Sequence, residues 1–254
     1  MKLSSDRLEY ERFFHDDYYR WKKERDKVIR WTEGIAEHAY QYFWQVIHEY
    51  LKKLPRDNAK LLDYGCGEGD IAYRLWEFGA RKIYGIDISE GMIRRAKERL
   101  PQVDFRVMNA EAMDFADEFF DLVAGIAILH HLDLQKAIPE LYRVLKKGGV
   151  AVFVEPMGHN PLINIFRRLT PGARTPFEHP LKVVDLEYFK EYFKVEKKHF
   201  VLSILPFLPF RPLLGKNFRR LVRESQKVDD ALFRICPFLE KYSWIVVLRF
   251  LKES

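Results

Sequence analysis

Residues 61–70 read LLDYGCGEGD, and this stretch decides the fold because a short apolar run leads directly into three alternating glycines. Glycine at a strand-to-loop corner indicates a backbone with positive φ or the close approach of another group. A tight turn accounts for one or two glycines, whereas Gly65, Gly67 and Gly69 in alternation favour a ligand close to the backbone. The stretch therefore predicts a strand, a ligand-binding loop and the start of a helix.

Around this loop, residues 60–156 alternate short apolar runs with amphipathic segments. Such alternation predicts crossover units, and hence a parallel sheet with helices on both faces. The fold class is therefore α/β, a doubly wound (Rossmann-like) sheet of seven mostly parallel strands with an antiparallel C-terminal strand. The predicted strands are 59–65, 82–88, 103–110, 119–129, 150–156, 194–204 and 242–252, and the predicted helices are 70–79, 89–100, 133–146 and 183–193, with the third ending at Gly148-Gly149.

Two segments are added to this sheet. Residues 1–55 are predicted to form an N-terminal helical cap, because apolar side chains recur at helical spacing from Tyr40 to Leu51 and Pro55 ends the pattern. Residues 56–254 form the main domain, with an insertion at about 203–242 before the last strand. We expect this insertion to be helical, since neighbouring strands are normally joined by shorter connections. Residues 158–181 are expected to be rich in loops.

The composition is that of an ordinary globular protein of 254 residues, with 48% hydrophobic and 31% charged residues. A net charge of +6 does not by itself require nucleic acid or anionic lipid as a partner. The two cysteines, Cys66 and Cys236, exclude a disulfide framework or a paired-cysteine metal site. Their small number favours a reducing, cytoplasmic compartment. No signal peptide or apolar run of membrane-spanning length is recognised, so a soluble protein is expected, with peripheral membrane contact left open.

A dinucleotide would require a third glycine at position 70, where the chain has Asp70. Asp70 is expected to cap the following helix, and its charge disfavours a pyrophosphate there. Asp87 follows Gly65 by 22 residues at the end of the second strand, where a carboxylate can accept hydrogen bonds from both hydroxyls of a ribose. The alternative is a helix-capping or solvated Asp87. The pattern favours a ribose-containing ligand without phosphates.

Five successive segments carry a family resemblance: DYGCGEG at 63–69, GIDIS at 85–89, MNAEAMDF at 108–115, FDLVAGIAILHHL at 120–132 and LYRVLKKGGVAVFVEP at 141–156. Together they resemble the motifs of the class I S-adenosylmethionine-dependent methyltransferases, of the type 11/25-like group. The resemblance covers about residues 58–156. It implies S-adenosylmethionine as cofactor, S-adenosylhomocysteine as product and no metal.

The resemblance also implies which residues surround the cofactor: Asp63, Gly65, Cys66, Gly67, Gly69, Asp87, Ile88, Met92, Asn109, Ala110, Gly125 and Ile126. Asp63, Gly65 and Gly67 would line its methionine part, with Gly69 closing the turn and Gly125 and Ile126 presenting backbone to the methionine end. Asp87 would hold its ribose, and Ile88 and Met92 would flank its adenine. Asn109 stands where the family often has an acidic residue, so it would accept the adenine amino group through an uncharged amide oxygen.

Three histidines are candidates near the acceptor. The sulfonium methyl is already activated, so the protein mainly aligns the acceptor and, for some acceptors, removes a proton. His131 is a candidate general base or a structural hydrogen-bonding residue beside the site. His179 and His159 are candidates for a base or a substrate anchor, or they hold their own loops. His130 and His131, as neighbours on a strand end, are expected to point in different directions, which argues against a metal site.

The acceptor is predicted to be a small, lipophilic or aromatic molecule. Aromatic residues of the N-terminal segment, including Phe14 and Tyr19, are expected to form a lid over the cofactor, and residues 205–214 to add apolar walls. Arg174, with Arg167 and Arg168, would hold an acidic group of the acceptor. Ordinary packing and solvated charges are the alternatives for all of these.

Other functions stay open at this stage. An apolar run followed by basic residues over about 203–227 is similar to an interfacial element, so peripheral membrane contact and a membrane-lipid or macromolecular substrate are alternatives. Nucleic acid is disfavoured, since AGIAILHH replaces the Pro-Pro-aromatic motif of base methyltransferases at the end of the fourth strand. A relative that binds the cofactor without transferring a methyl group is the non-enzymatic alternative. The oligomeric state is not determined by the sequence.

Overall fold

The computed structural model describes residues 2–16, 26, 34–55, 58–215 and 217–253. Strands and helices alternate along most of the chain. In order they are α1 Lys2–Asp16, α2 Glu37–Leu51, β1 Lys60–Tyr64, α3 Asp70–Glu77, β2 Lys82–Asp87, α4 Glu90–Arg99, β3 Asp104–Val107, β4 Phe120–Ile126, α5 Leu134–Val144, β5 Leu145–Pro156, α6 Pro161–Leu169, α7 Val183–Phe189, β6 Lys194–Phe200, α8 Arg211–Leu214, α9 Asn217–Ile235 and β7 Ile245–Leu251.

The strands form one seven-stranded sheet in the order β3-β2-β1-β4-β5-β7-β6. β7 runs antiparallel to both of its neighbours, and the other pairs described are parallel. The predicted doubly wound sheet with an antiparallel C-terminal strand is therefore confirmed. The chain order reverses between β1 and β4, and a ligand is expected beyond the carboxyl ends of these two strands.

Both faces of the sheet are buried. Leu61 and Leu122 pack in one core cluster, with helix α2, while their neighbours Leu62 and Val123 pack in the other. This explains why β1 and β4 read as continuous apolar runs rather than as alternating strands. Because the strands are packed on both faces, the loops that follow them start from fixed positions.

Two predicted helix boundaries were wrong. Helix α5 ends at Val144 rather than near the glycine pair, because Leu145 already pairs with Phe120 of β4. The Lys252 ammonium donates to the Leu145 carbonyl at 2.8 Å and so satisfies one of the acceptors where the helix gives way to the strand. Helix α3 is preceded by Gly69 in the left-handed conformation, so Asp70 is its first residue and not its cap.

The stretch 158–181, expected to be rich in loops, contains helix α6. The buried Asn160 begins this helix, because its Oδ1 accepts the N–H groups of Leu162 at 2.9 Å and of Ile163 at 3.3 Å. Pro161 follows at the first helical position, where its missing N–H costs nothing. The sequence contained this start signal.

The segment between β6 and β7 is helical, as expected. It carries α8 and α9 with two short 3-10 turns, Leu205–Phe210 and Pro237–Tyr242. The fully buried Asp229 of α9 anchors it by accepting the N–H groups of Leu202 at 2.9 Å and Ser203 at 2.8 Å. Across the described ranges, no helix combines the length and apolarity needed to cross a bilayer.

We expect His199 to make folding stability depend on pH. Burial lowers the pKa of His199 to about 4, partly opposed by the carboxylate of Glu240. Above the unfolded pKa of about 6.5 both states hold a neutral imidazole, whereas at lower pH only the unfolded chain gains the proton. The free energy of unfolding should therefore fall by about 3 kcal/mol between pH 6.5 and 4 on this account.

Urea denaturation at several pH values checks this expectation. The variant His199→Gln should have a flatter profile between pH 6.5 and 4.5, while His48→Gln, at an exposed position, should keep the wild-type slope. Equal slopes for wild type and His199→Gln would contradict the assignment.

Candidate active site

The glycine loop after β1 has the backbone that its sequence predicts. Gly65, Gly67 and Gly69 have φ values of +71°, +50° and +81°. The Cys66 N–H donates to the Ile86 carbonyl of β2 at 2.8 Å, which holds the loop over the neighbouring strand end. A Cβ on Gly65 would lie 2.6 Å from the Ile128 side chain, whereas a Cβ on Gly67 would meet no atom within 4 Å. Only glycine satisfies both conformation and space at position 65.

Gly67 lines the cavity described below, and the space beside it can accept a methyl group when no ligand is bound. Gly67→Ala and Gly79→Ala should each lose about 1 kcal/mol of stability, because both impose a left-handed conformation on alanine. Binding of S-adenosylhomocysteine should weaken about fivefold or more for Gly67→Ala alone, since an added methyl group in filled space costs about 1–3 kcal/mol. Calorimetric titration and urea denaturation of both variants measure this, and equal affinities would contradict it.

Asp87 is held at the edge of the loop by two backbone groups. Its Oδ2 accepts the Gly67 N–H at 2.9 Å, and its Oδ1 accepts the Ser89 N–H at 2.9 Å. Each carboxylate oxygen keeps a further acceptor position, so both can also receive a hydroxyl. The side chain therefore ties the glycine loop to the start of α4 and is already oriented for a ligand.

Asp63 is a buried carboxyl group with an unfilled acceptor. Its Oδ2 accepts the Ala72 N–H at 2.9 Å, while Oδ1 has no hydrogen-bond partner among the described residues. Burial raises the pKa of Asp63 to about 8. Because a buried polar atom without a partner is costly, the site suits a ligand that brings a donor or a positive charge to this oxygen.

The residues predicted to contact adenine lie together in the same cavity. Ile88, Met92, Asn109 and Ala110 all line the cavity. Asn109 Oδ1 already accepts the Glu111 N–H at 3.0 Å, so a ligand amino group would use its remaining acceptor position. The neutral side chain thus both shapes its own turn and faces the cavity.

The prediction that His130 and His131 point in different directions is wrong, because they do not lie on a strand end. Strand β4 ends at Ile126, and Ala127 takes a φ of +56°, so the histidines lie in a 3-10 turn at Leu129–His131. Their ring centroids are 4.2 Å apart. A turn of three residues does not alternate side chains as a strand does, which is why the sequence argument was wrong.

Glu155, near the end of β5, holds this turn in place through its carboxylate. Its Oε1 accepts the N–H groups of Ile128 at 2.9 Å and Leu129 at 2.8 Å, and its Oε2 lies 2.7 Å from Nδ1 of His130. Burial raises the pKa of Glu155 to about 7 and lowers that of His130 to about 3, so the imidazole is neutral. This buried contact sets the position of the neighbouring His131.

Helix α1 brings two further side chains to His131. Nδ1 of His131 lies 3.3 Å from Oε2 of Glu11, and Nε2 of His15 lies 3.5 Å from the same oxygen. Burial opposes the ionisation of Glu11, but contacts with the two histidines and Thr175 outweigh it and hold the pKa of Glu11 below its ordinary value. Burial, together with the neighbouring His130, lowers the pKa of His131. We call these three residues the Glu11–His15–His131 cluster.

Arg174 also lines the cavity, but its charge is shared with a carboxylate of the protein. Its Nε lies 3.1 Å from Oε1 of Glu178, and Arg167 forms an ion pair with the same oxygen. Burial lowers the pKa of Arg174 to about 10, so it stays charged at neutral pH. An acidic group on an acceptor would therefore compete with Glu178 for Arg174.

Several predicted residues are not brought to the cavity. His159 is engaged at the surface, where its Nε2 accepts the Val183 N–H at 3.2 Å. His179 donates its backbone N–H to the His130 carbonyl at 2.8 Å, and neither ring is among the described cavity-lining residues. Residues 205–214 do not line it either, since Leu205 and Leu208 pack in the core. Tyr19 lies outside the described residues.

The cavity itself has a volume of about 680 Å³ and joins two ends. Asp63, Asp87 and the glycine loop line one end. At the other end are Arg7, Glu11, His15, His131, Arg174 and Glu178, with the Phe14 ring packed against His15. Leu8, Tyr40 and Trp44 also line the cavity. Glu11, Glu155 and Glu178 were missed from the sequence, although the charged residues in EPMGHNP and RTPFEHP were a usable signal.

Comparisons with known proteins agree with the fold. Residues 62–153 match the family described as "Methyltransferase domain". The demethylmenaquinone methyltransferase of Chlorobaculum parvum is 38% identical over 106 residues, which are 41% of this chain and 44% of that protein. The ubiquinone/menaquinone biosynthesis C-methyltransferase of a Campylobacter jejuni strain is 35% identical over 119 residues, 44% of this chain and 48% of that protein. The chain thus spans less than half the length of these two relatives.

Solved structures show the same fold at low identity. Phosphoethanolamine N-methyltransferase 2 of Haemonchus contortus, in complex with S-adenosyl-L-methionine, has a TM-score of 0.58 and 19% identity over 91% of this chain and 60% of that chain. Geranyl diphosphate C-methyltransferase of Streptomyces coelicolor has a TM-score of 0.55 and 15% identity over 82% of this chain and 79% of that one. The fold is the one that these methyltransferase structures share. Residues 62–153 match the methyltransferase domain family, which confirms the resemblance seen in the sequence for that part of the chain.

Proposed function

We propose that this protein transfers a methyl group from S-adenosylmethionine to a small lipophilic or aromatic acceptor. One observation carries the proposal: one cavity joins Asp63, Asp87 and the glycine loop to a group of histidines and carboxylates. The first end suits the cofactor and the second suits an acceptor. S-adenosylmethionine, when bound, supplies a methyl group that is already activated by the positive charge on sulfur.

The residues at the cofactor end fit this ligand chemically. Asp87 would accept both ribose hydroxyls through the acceptor positions that its backbone contacts leave open. Asp63 Oδ1 would lose its unsatisfied state by accepting a donor of the methionine part. Asn109 would accept the adenine amino group. The protein's remaining tasks are to align the acceptor and to exclude water.

Much of the acceptor end is formed by residues outside the part of the chain that matches the family. Glu11, His15 and Arg174 line it, and all three lie outside the matched residues 62–153. The names of the relatives, which refer to quinone biosynthesis, therefore support an aromatic acceptor in general and no particular one. Aromatic lining from Phe14, with polar groups nearby, favours an acceptor that has an apolar body and a hydroxyl or ionisable group.

Calorimetric titration with S-adenosylhomocysteine tests cofactor binding, with NAD as the control ligand. Saturable micromolar binding of S-adenosylhomocysteine and none of NAD is expected. Transfer is then tested with methyl-labelled S-adenosylmethionine and a panel of quinols, phenols and lipophilic amines. Binding without any transfer would favour the non-enzymatic relative, and absence of binding by a folded protein would overturn the proposal.

We also propose that the protein contacts an anionic membrane surface through the segment before and along α9. Phe207, Phe210 and Leu213 expose 46%, 54% and 85% of their surface in this segment. Basic residues follow directly in α9, at Arg219, Arg220 and Arg223. Exposed apolar side chains beside positive charge fit the interface of an anionic bilayer, where a lipophilic acceptor would also be found.

Co-sedimentation with vesicles that contain anionic lipid tests this contact. Wild type is expected to sediment at low salt and to be released as salt rises, because the attraction is screened. Leu213→Glu should lose binding, whereas Val184→Glu, at an exposed position outside the segment, should not. Failure of wild type to sediment with these vesicles would remove the proposal.

A further inference from the structure

The Glu11–His15–His131 cluster combines three side chains of the types that bind transition metals. Two imidazole nitrogens and one carboxylate oxygen lie within 4.8 Å of one another. Glu11 is buried, and the two histidines are half-buried. Two histidines with one carboxylate are the protein ligands of catalytic zinc sites and of non-haem iron(II) sites.

The distances fit a common central ion better than they fit hydrogen bonds. Ligands about 2.0–2.2 Å from a tetrahedral ion lie about 3.3–3.6 Å from one another. His131 Nδ1 and His15 Nε2 lie 3.3 and 3.5 Å from Glu11 Oε2. Glu11 Oε2 and His131 Nδ1 are both buried without a hydrogen-bond partner of good geometry among the described residues. Glu11 Oε2 and His131 Nδ1 therefore face each other, and an ion bound between them would satisfy both atoms.

The groups around the cluster are those expected of a supporting shell. The Thr175 hydroxyl donates to Oε1 of Glu11 at 2.6 Å, which leaves Oε2 directed to the histidines. Arg7 donates to the His131 carbonyl and pairs with Glu111, so its charge is compensated within the protein. Ligands whose orientation is set by outer hydrogen bonds are typical of metal sites.

A second group at the same end, His130, His131 and Glu178, is less suited to an ion. His130 Nδ1 is already in contact with Glu155, and Glu178 is paired with Arg167 and Arg174. An ion there would have to displace contacts that the protein already makes. The Glu11–His15–His131 cluster would require no such exchange at Glu11 Oε2.

We propose that Glu11, His15 and His131 form a binding site for one divalent transition ion of the zinc or iron(II) class. Three protein ligands leave at least one coordination position, and all three line the cavity. The open position would receive water or an oxygen of a ligand at the acceptor end. Metal binding itself does not depend on the proposed function. Any part that this oxygen plays in methyl transfer does rest on it. This proposal differs from the prediction, made from the sequence, that no metal is bound.

Titration of chelator-treated, tag-free full-length protein with Co²⁺ tests the site, because bound Co²⁺ gives visible absorption bands that report its geometry. We expect one Co²⁺ per chain, displaced by Zn²⁺. Affinity should fall about tenfold or more in Glu11→Gln and in His15→Ala, since loss of even an outer-shell partner costs about 10–100-fold. Glu9→Gln, exposed on the same helix, and His48→Ala, exposed on α2, should bind like wild type.

Two results would overturn the inference: no saturable Co²⁺ binding by wild type, or unchanged binding in both cluster variants. Circular dichroism and S-adenosylhomocysteine titration of the same samples report folding and cofactor binding independently. A protein that binds S-adenosylhomocysteine but no Co²⁺ refutes the metal site alone. A protein that binds Co²⁺ through Glu11 and His15 but no S-adenosylhomocysteine refutes the proposed function and leaves the metal site supported.

Discussion

Asp87→Ala is expected to weaken binding of S-adenosylhomocysteine by more than about tenfold, because it removes two charged acceptors from the ribose position. The structure adds a second contribution to this loss. Asp87 also accepts the N–H groups of Gly67 and Ser89, so its removal leaves the glycine loop without a tie to the start of α4. Cofactor contacts and loop position should therefore be lost together.

Calorimetric titration separates these contributions. Asp87→Asn keeps one acceptor oxygen and should bind with an affinity between those of wild type and Asp87→Ala. Asp104→Ala is the matched control, since Asp104 is exposed on β3 and pairs with Arg106 at 2.6 Å. Unchanged affinity in Asp87→Ala would show that the ribose does not lie at Asp87.

Glu155→Ala is expected to lower the free energy of unfolding by about 3 kcal/mol or more, because three buried nitrogens lose their acceptor and each unsatisfied group costs about 1–3 kcal/mol. Glu155 is 1% exposed and accepts the N–H groups of Ile128 and Leu129 while contacting His130 Nδ1. Truncation leaves these three buried nitrogens without the acceptor that Glu155 supplies. Each unsatisfied group adds to the loss.

Urea denaturation at pH 7 measures the effect, with Glu196→Ala as the control. Glu196 pairs with Arg249 at 3.0 Å on the exposed face of β6, so its truncation should cost about 0–1 kcal/mol. Glu155→Gln should be less damaging than Glu155→Ala, since an amide oxygen can still accept the two backbone groups. A loss below about 1 kcal/mol in Glu155→Ala would contradict the role given to this contact.

Much of the fold could be predicted from sequence because its signals are local. The alternation of apolar runs and amphipathic segments predicted the parallel sheet, and the glycines at 65, 67 and 69 predicted the loop. The helix boundary at Val144 could not be predicted in this way. It depends on pairing between Leu145 and Phe120 and on Lys252 from the far end of the chain, both of which are contacts between distant residues.

The same distinction applies to the candidate site. The sequence by itself determined the glycine loop and Asp87, since both follow a recognisable strand at a characteristic spacing. Only the tertiary structure brought Glu11 and His15 to His131, across more than a hundred residues of chain, and only it engaged His159 elsewhere. The cofactor end is built from consecutive strand ends, whose order follows from local pattern. The acceptor end is built from helix α1 and the segment after β5, whose packing on the sheet no local pattern specifies.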